Sequence, residues 1–182
     1  MHLEPLRAED RSRVKDILVA TGAFGSEEIA VALELFDSVD HVDPDIRAEG
    51  QDFASSGNAG QDYEFVGARD DEGMLLGYAC VGPTPSTDGT YDLYWLAVAP
   101  GAQGRGVGRQ LVAFLEQRLS ARGARMLVAE TSSRADYART REFYHRAGFA
   151  EAARVRDFYA PADDRIIYTT RLTAREVGAA TP

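Results

Sequence analysis

Cysteine and lysine each occur once in this chain of 182 residues, tryptophan also once, and histidine only three times. A lone Cys80 rules out an internal disulfide and any multi-cysteine metal site. Placed in the apolar run LLGYACVG, it reads as a small buried hydrophobe rather than a nucleophile. His2, His41 and His145 are too dispersed for metal-ligand spacing, so no metal is expected. A membrane-spanning helix needs roughly 18 consecutive apolar residues, and no run here approaches that. The first residues, MHLEPLRAEDR, are too charged for a secretory signal, which makes the cytoplasm the expected location. With Lys15 the only lysine, the sequence contains no Gly-Lys-Ser/Thr, and the GxxxxGK[ST] phosphate loop is excluded.

Charge is unevenly spread. The net charge is −9, but residues 1–90 hold 19 acidic and 6 basic side chains (−13), and residues 91–182 hold 10 acidic and 14 basic (+4). The second half would attract a polyanion and the first a cation, both softened by screening over about 8–10 Å. There is no basic stripe and no alternation of basic with aromatic residues, so nucleic acid is not an expected partner. Length and a 45% hydrophobic content suit one compact domain, read as residues 1–172, followed by a loose tail at 173–182.

HLEPLR reads as a short strand, followed by a helix from about Asp10 to Ala20 with Val14, Ile17 and Leu18 on one face. Gly22 and Gly25 break it, and Ser26 is placed to cap a second helix carrying Ile29, Leu33 and Phe36. Residues 37–61, rich in Asp, Ser and Gly, read as a long surface loop. Strands are expected over Tyr63–Arg69, Met74–Val81 and Thr90–Val98, as an antiparallel meander. A helix from Gly106 to Arg122 follows, with Val107, Leu111, Val112, Leu115 and Leu119 inward and Gly123 at its end. Then come a strand over Met126–Thr131 and a helix over Ala135–Ala147 closed by Gly148 and Phe149. The last strands are Glu151–Tyr159 and Arg165–Leu172.

The most specific stretch is LYWLAVAPGAQGRGVGRQL, where an apolar strand ends at Pro100 and a glycine-rich loop opens an amphipathic helix. Glycines remove side chains where a ligand approaches the backbone, and the first N–H groups of a helix lack intrahelical partners, so this layout suits a pyrophosphate. A dinucleotide fingerprint GxGxxG beginning at Gly104 would need glycine where Arg109 stands, which disfavours a nucleotide-dependent oxidoreductase. Gln103-Gly104-Arg105-Gly106-Val107-Gly108 instead resembles the Q/R-x-x-G-x-G/A signature of the GNAT acetyltransferase superfamily. A second anchor, Phe143-Tyr144 followed by Gly148-Phe149, resembles the LYxxxGF helix of the same superfamily.

That resemblance spans residues 91–172 and implies an α+β fold. Its centre is a mostly antiparallel twisted sheet of about seven strands flanked by about four helices. It implies acetyl-CoA as cosubstrate. By the same resemblance, the backbone of Leu96, Ala97 and Val98 pairs with the pantetheine arm near a strand bulge, while Gln103, Gly104, Arg105, Gly106, Val107, Gly108 and Arg109 hold the pyrophosphate. Many relatives carry an asparagine seven residues before the helix tyrosine. Here that position is Tyr137, which is left outside the site.

Acetyl transfer from a thioester to an amine requires a neutral nucleophile, a stabilised oxyanion and a proton for the leaving thiolate. Deprotonating a lysine-like amine at pH 7 costs about 4.6 kcal/mol, so a base is needed. Glu130, at the end of its strand, is the first candidate, through partial burial or a water relay. Asp92 is the reserve. Asp92 alternates onto the same strand face as Tyr94, and both are candidates to meet the acceptor. Tyr144 matches the family's general acid, with a packed core aromatic as the competing reading. The leading expectation is direct transfer in a ternary complex to the primary amine of a small molecule or peptide, the acidic first half favouring a cation. The alternative is a noncatalytic acyl-CoA-binding regulatory module. A homodimer is common among such relatives.

Overall fold

In the computed structural model, residues 1–39 and 63–172 are described. They group into two compact units, one of residues 1–83 with 93–112 and one of residues 84–92 with those from Ala113 onward. The expected loop at 37–61 falls outside the described residues from Asp40 onward, as do His41 and the expected tail at 173–182.

The first unit is built on β1 (His2–Pro5), α1 (Arg11–Thr21), α2 (Ser26–Ser38), β2 (Glu64–Arg69) and β3 (Leu75–Pro83). The larger part of β4 (Thr90–Val98) joins them. Helix α1 forms because Val14, Ile17 and Leu18 recur at helical spacing, and all three are fully buried. It stops at Gly22, whose φ of 64° is the left-handed conformation glycine adopts without strain. The N-cap of α2 is Gly25 rather than Ser26: Glu28 reaches back to accept the Gly25 N–H at 2.8 Å, which draws Ser26 into the first turn. Asp37 and Ser38 extend α2 instead of opening a loop, because the Arg11 guanidinium grips the Asp37 carboxylate with both its Nε and Nη2.

Strands β1, β2 and β3 pair antiparallel, with Leu3 opposite Ala68 and Val66 opposite Ala79. Phe65, Tyr78, Cys80 and Ala97 bury against Ile17, Leu18 and Phe36 from the helices. A Cβ on Gly77 would lie 2.8 Å from the Ala97 carbonyl oxygen, so glycine there is what lets β3 and the end of β4 approach. The buried Asp10 carboxylate accepts the Arg7 N–H and the Arg69 guanidinium, and Arg69 also reaches Glu4. Cys80 is fully buried, and burial, then the charge of Glu64, pushes its thiol far up.

The second unit holds most of α3 (Val107–Ala121), β5 (Met126–Ser132), α4 (Ala138–Arg146), β6 (Ala150–Ala160) and β7 (Asp163–Arg171). β5, β7 and β6 lie side by side in that order, antiparallel, with Ala129 opposite Tyr168 and Glu130 opposite Ile167. Leu111, Leu115 and Leu119 of α3 are buried as the spacing predicts. The helix expected from Ala135 starts as a 3-10 turn over Ala135–Tyr137 and becomes α-helical only at Ala138. Its end is a complete Schellman closure. The Phe149 N–H donates to the Tyr144 carbonyl at 3.0 Å, the Gly148 N–H to that of His145 at 3.1 Å, and Gly148 has φ 92°. Among the described residues, the seven strands and four α-helices are the α+β inventory expected.

Candidate active site

Along β4, Leu93 and Ala97 are buried, Trp95 packs on the core, and Tyr94, Leu96 and Val98 alternate onto the other face. The strand's partnership with β3 continues one residue further, where the Ala99 N–H donates to the Leu76 carbonyl at 2.8 Å. Pro100 then starts a 3-10 turn that buries Ala102, and the side-chain amide of Gln103 donates back to the Val98 carbonyl at 3.2 Å. Gln103 thus ties the loop to the strand.

Gly104 and Gly106 follow with φ of 75° and 83°, and a Cβ built on either would find no atom within 4 Å. The loop therefore has both the left-handed turns and the empty space of a cradle. The Gln110 N–H donates to the Gly106 carbonyl at 3.0 Å, which opens α3. The amides of Val107, Gly108 and Arg109 then precede any intrahelical acceptor and carry the positive end of the helix dipole. Val107 is buried and anchors the turn, while the Arg105 and Arg109 side chains are exposed beside it. A hollow of about 250 Å³ beside the loop is lined by Arg105, Val107 and Gln110 together with Asp70 and Asp71, whose carboxylates do not suit a diphosphate.

In the second unit, Glu130 projects from the face of β5 opposite to buried Ala129 and is ion-paired with Arg165 of β7. The Arg165 guanidinium carbon also lies 4.8 Å from the centre of the Phe158 ring. The Glu130 hydrogen bond, aided by the charges of Glu130, Tyr159 and Asp92, raises Arg165 above the ordinary guanidinium value against the opposing effect of burial. Asp92 accepts a hydrogen bond from the Thr84 hydroxyl at 2.7 Å. Of the two predicted carboxylates, Glu130 is the one in contact with a guanidinium, while Asp92 is held by the Thr84 hydroxyl. The Glu130 side chain is 34% exposed.

Tyr144 sits on the other face of the β5–β7 ladder. It is only 6% exposed, stacked on Tyr168 with ring centres 5.4 Å apart and tilted against Phe149 at 5.3 Å. Burial, then the neighbouring Tyr168, pushes its phenol well above the ordinary tyrosine value. Tyr137 is the N-terminal cap position of α4, and Arg141 fixes the preceding loop by donating to the carbonyls of Ser132 and Arg134. Arg165 and Phe158 did not emerge from the sequence, because only the β5–β7 register places Arg165 within reach of Glu130.

A family model described as "Acetyltransferase (GNAT) family" matches residues 31–149, which include the glycine loop, β5 and α4. The chain belongs to the GNAT acetyltransferase family. A solved structure of a protein assigned to that family from Desulfovibrio desulfuricans is 40% identical, covering 94% of this chain and 99% of that one with a TM-score of 0.80. Two more distant structures share the fold. The ribosomal-protein-S18-alanine N-acetyltransferase from Escherichia coli is 21% identical, covering 99% of each chain at TM-score 0.68. An aminoglycoside 6′-N-acetyltransferase complexed with coenzyme A is 15% identical, covering 96% of this chain and 99% of that one at TM-score 0.68. Comparison with curated proteins yields no match. The GNAT assignment makes the chain an acyltransferase whose general chemistry is acetyl transfer. Among its described residues no helix is long and apolar enough to cross a membrane, and no group of three or more His, Cys, Asp or Glu is placed to hold a metal ion.

Proposed function

We propose that this GNAT protein uses acetyl-CoA to acetylate the primary amine of a small molecule or peptide, by direct transfer with both substrates bound. The observation that carries the proposal is the open loop at Gly104 and Gly106 leading into the free amides of α3. Its residues fit a diphosphate, because Gly104 and Gly106 leave the main chain open ahead of α3 and Arg105 and Arg109 are exposed beside it. Gln103, Gly104, Arg105, Gly106, Val107, Gly108 and Arg109 hold that diphosphate, and the main chain of Leu96, Ala97 and Val98 runs along the amide stem. Acetyl-CoA supplies the activated acetyl group.

Glu130 takes the amine proton through a relaying water rather than by direct contact, since it lies on the face of the β5–β7 ladder opposite to Tyr144. Tyr144 returns a proton to the departing thiolate. The phenol holds its proton at neutral pH, and the burial that raises it makes it a weaker acid than an exposed tyrosine. Asp92 and Tyr94, on one face of β4, meet the acceptor. Of the distant relatives, one is named for a protein alanine and one for an aminoglycoside, which supports an amine acceptor without choosing its size.

The test is thiol release from acetyl-CoA across polyamines, amino acids, aminoglycosides and peptides, with the acetylated product identified by mass spectrometry. Release that depends on an amine supports the proposal. Tight acetyl-CoA binding with no amine acetylated would instead make the chain a noncatalytic acyl-CoA-binding module.

A further inference from the structure

We propose that Tyr168 is a positioning residue for the proton donor: its ring, fixed on the inner strand β7, sets where the Tyr144 hydroxyl points. This deepens the reading above, in which Tyr144 returns a proton to the departing thiolate, and rests on it.

The Tyr144 carbonyl accepts the Phe149 N–H, which fixes its main chain at the end of α4, but among the described residues no hydrogen bond reaches its hydroxyl. The direction of the phenol is therefore set by what touches the ring. Phe143 and Phe149 lie 5.5 and 5.3 Å from it at interplanar angles of 63° and 59°, and Tyr168 lies 5.4 Å away at 28°. Phe143 is on α4 and Phe149 closes its last turn, so both move with Tyr144. Tyr168 belongs to the sheet instead. Its stacked ring is what fixes the phenol relative to the strands.

Tyr168 is itself firmly held. β7 has a strand on each side, and Tyr168 stands opposite Ala129 of β5 and Glu151 of β6. It is only 1% exposed, and the His145 ring meets it edge-on at 5.2 Å and 87°, with His145 Nε2 3.4 Å from the Tyr168 hydroxyl. A side chain carried on an inner strand and locked by packing places its neighbour more precisely than a loop does. Precision matters to a proton donor, because a misplacement of about 1 Å at a reacting group costs on the order of a hundredfold in rate. The Tyr168 hydroxyl is engaged with His145, so the ring is what it offers Tyr144, and a phenylalanine offers the same surface. Tyr144, His145, Phe149 and Tyr168 all lie in the second unit.

The experiment measures thiol release by the full chain with acetyl-CoA and whichever amine of the panel above turns over fastest. Tyr168→Leu and Tyr168→Phe are each compared with the parent and combined with Tyr144→Phe. Tyr168→Leu should lower kcat at least about tenfold while the acetyl-CoA KM changes less than about twofold, and Tyr168→Phe should keep kcat within about twofold of the parent. In the Tyr144→Phe background the leucine should cost less than about twofold more, because the hydroxyl that it aims is gone. Tyr168→Met, a flexible side chain with no ring, repeats the comparison if the leucine variant does not fold. An equal loss in both backgrounds, parental kcat in Tyr168→Leu, or a loss in Tyr168→Phe as large as in Tyr168→Leu overturns this inference and leaves Tyr144 as the donor. Parental turnover in Tyr144→Phe overturns the donor role and this inference with it.

Discussion

The side-chain amide of Gln103 donates to the Val98 carbonyl at 3.2 Å, joining the glycine loop to the last residue of β4. One hydrogen bond thereby couples the segment proposed to hold a diphosphate to the strand proposed to hold an amide stem. Gln103→Ala should weaken acetyl-CoA binding by about fivefold, the worth of one net hydrogen bond, with little change in global stability. Calorimetric titration checks this. Unaltered affinity would show that the loop keeps its shape without the tie.

Gly106→Ala makes a stronger demand. At φ 83° an alanine is strained by about 1 kcal/mol or more, and its methyl group enters the open space assigned to the diphosphate. Acetyl-CoA affinity should fall more than about tenfold, beyond what strain alone produces, while the melting temperature drops only slightly. A large stability loss with retained affinity would reassign Gly106 to folding.

Tyr144→Phe should lower turnover at least about tenfold while acetyl-CoA binding survives, if the phenol donates the final proton. The same residue carries an alkaline stability signature. Its folded phenol titrates above the unfolded value near 10, so its contribution is fully present below about pH 10 and is lost as pH rises beyond it, at up to about 1.4 kcal/mol per pH unit. Urea unfolding from pH 9 to 11 should show a shallower decline in Tyr144→Phe than in the parent chain. Equal slopes would mean the hydroxyl is not held neutral by burial.

The Arg69 guanidinium joins Glu4 of β1 to buried Asp10. Removing one partner of a buried pair leaves the other uncompensated, so Arg69→Ala should cost about 3 kcal/mol in chemical denaturation. A loss under about 1 kcal/mol would mean that water reaches Asp10 readily.

Cys80 should resist a thiol-reactive disulfide reagent in the native state and react fully in denaturant, since it is wholly buried with its thiol pushed far up. Rapid native labelling would indicate frequent opening of the β2–β3 core.

Where one periodic face decides the outcome, the sequence was enough: Val14, Ile17 and Leu18 of α1, and Leu111, Leu115 and Leu119 of α3, are buried as their spacing requires. The glycine loop was legible for a related reason, because left-handed turns before a helix need glycine and little else supplies them. Less was visible where a single distant contact decides. Glu28 moved the α2 cap to Gly25, and Arg11 drew Asp37 into the helix. The Arg165–Glu130 pair depends on strand register. Tyr144 was recognisable by its family position, while its stacking on Tyr168 required the β5–β7 ladder to be in place.

A crystal structure of the chain with acetyl-CoA tests the central claim most directly. The diphosphate should lie against the amides running from Gly104 to Arg109, with the amide stem along Leu96–Val98. A diphosphate bound elsewhere, or a glycine loop left vacant at saturating acetyl-CoA, would contradict it.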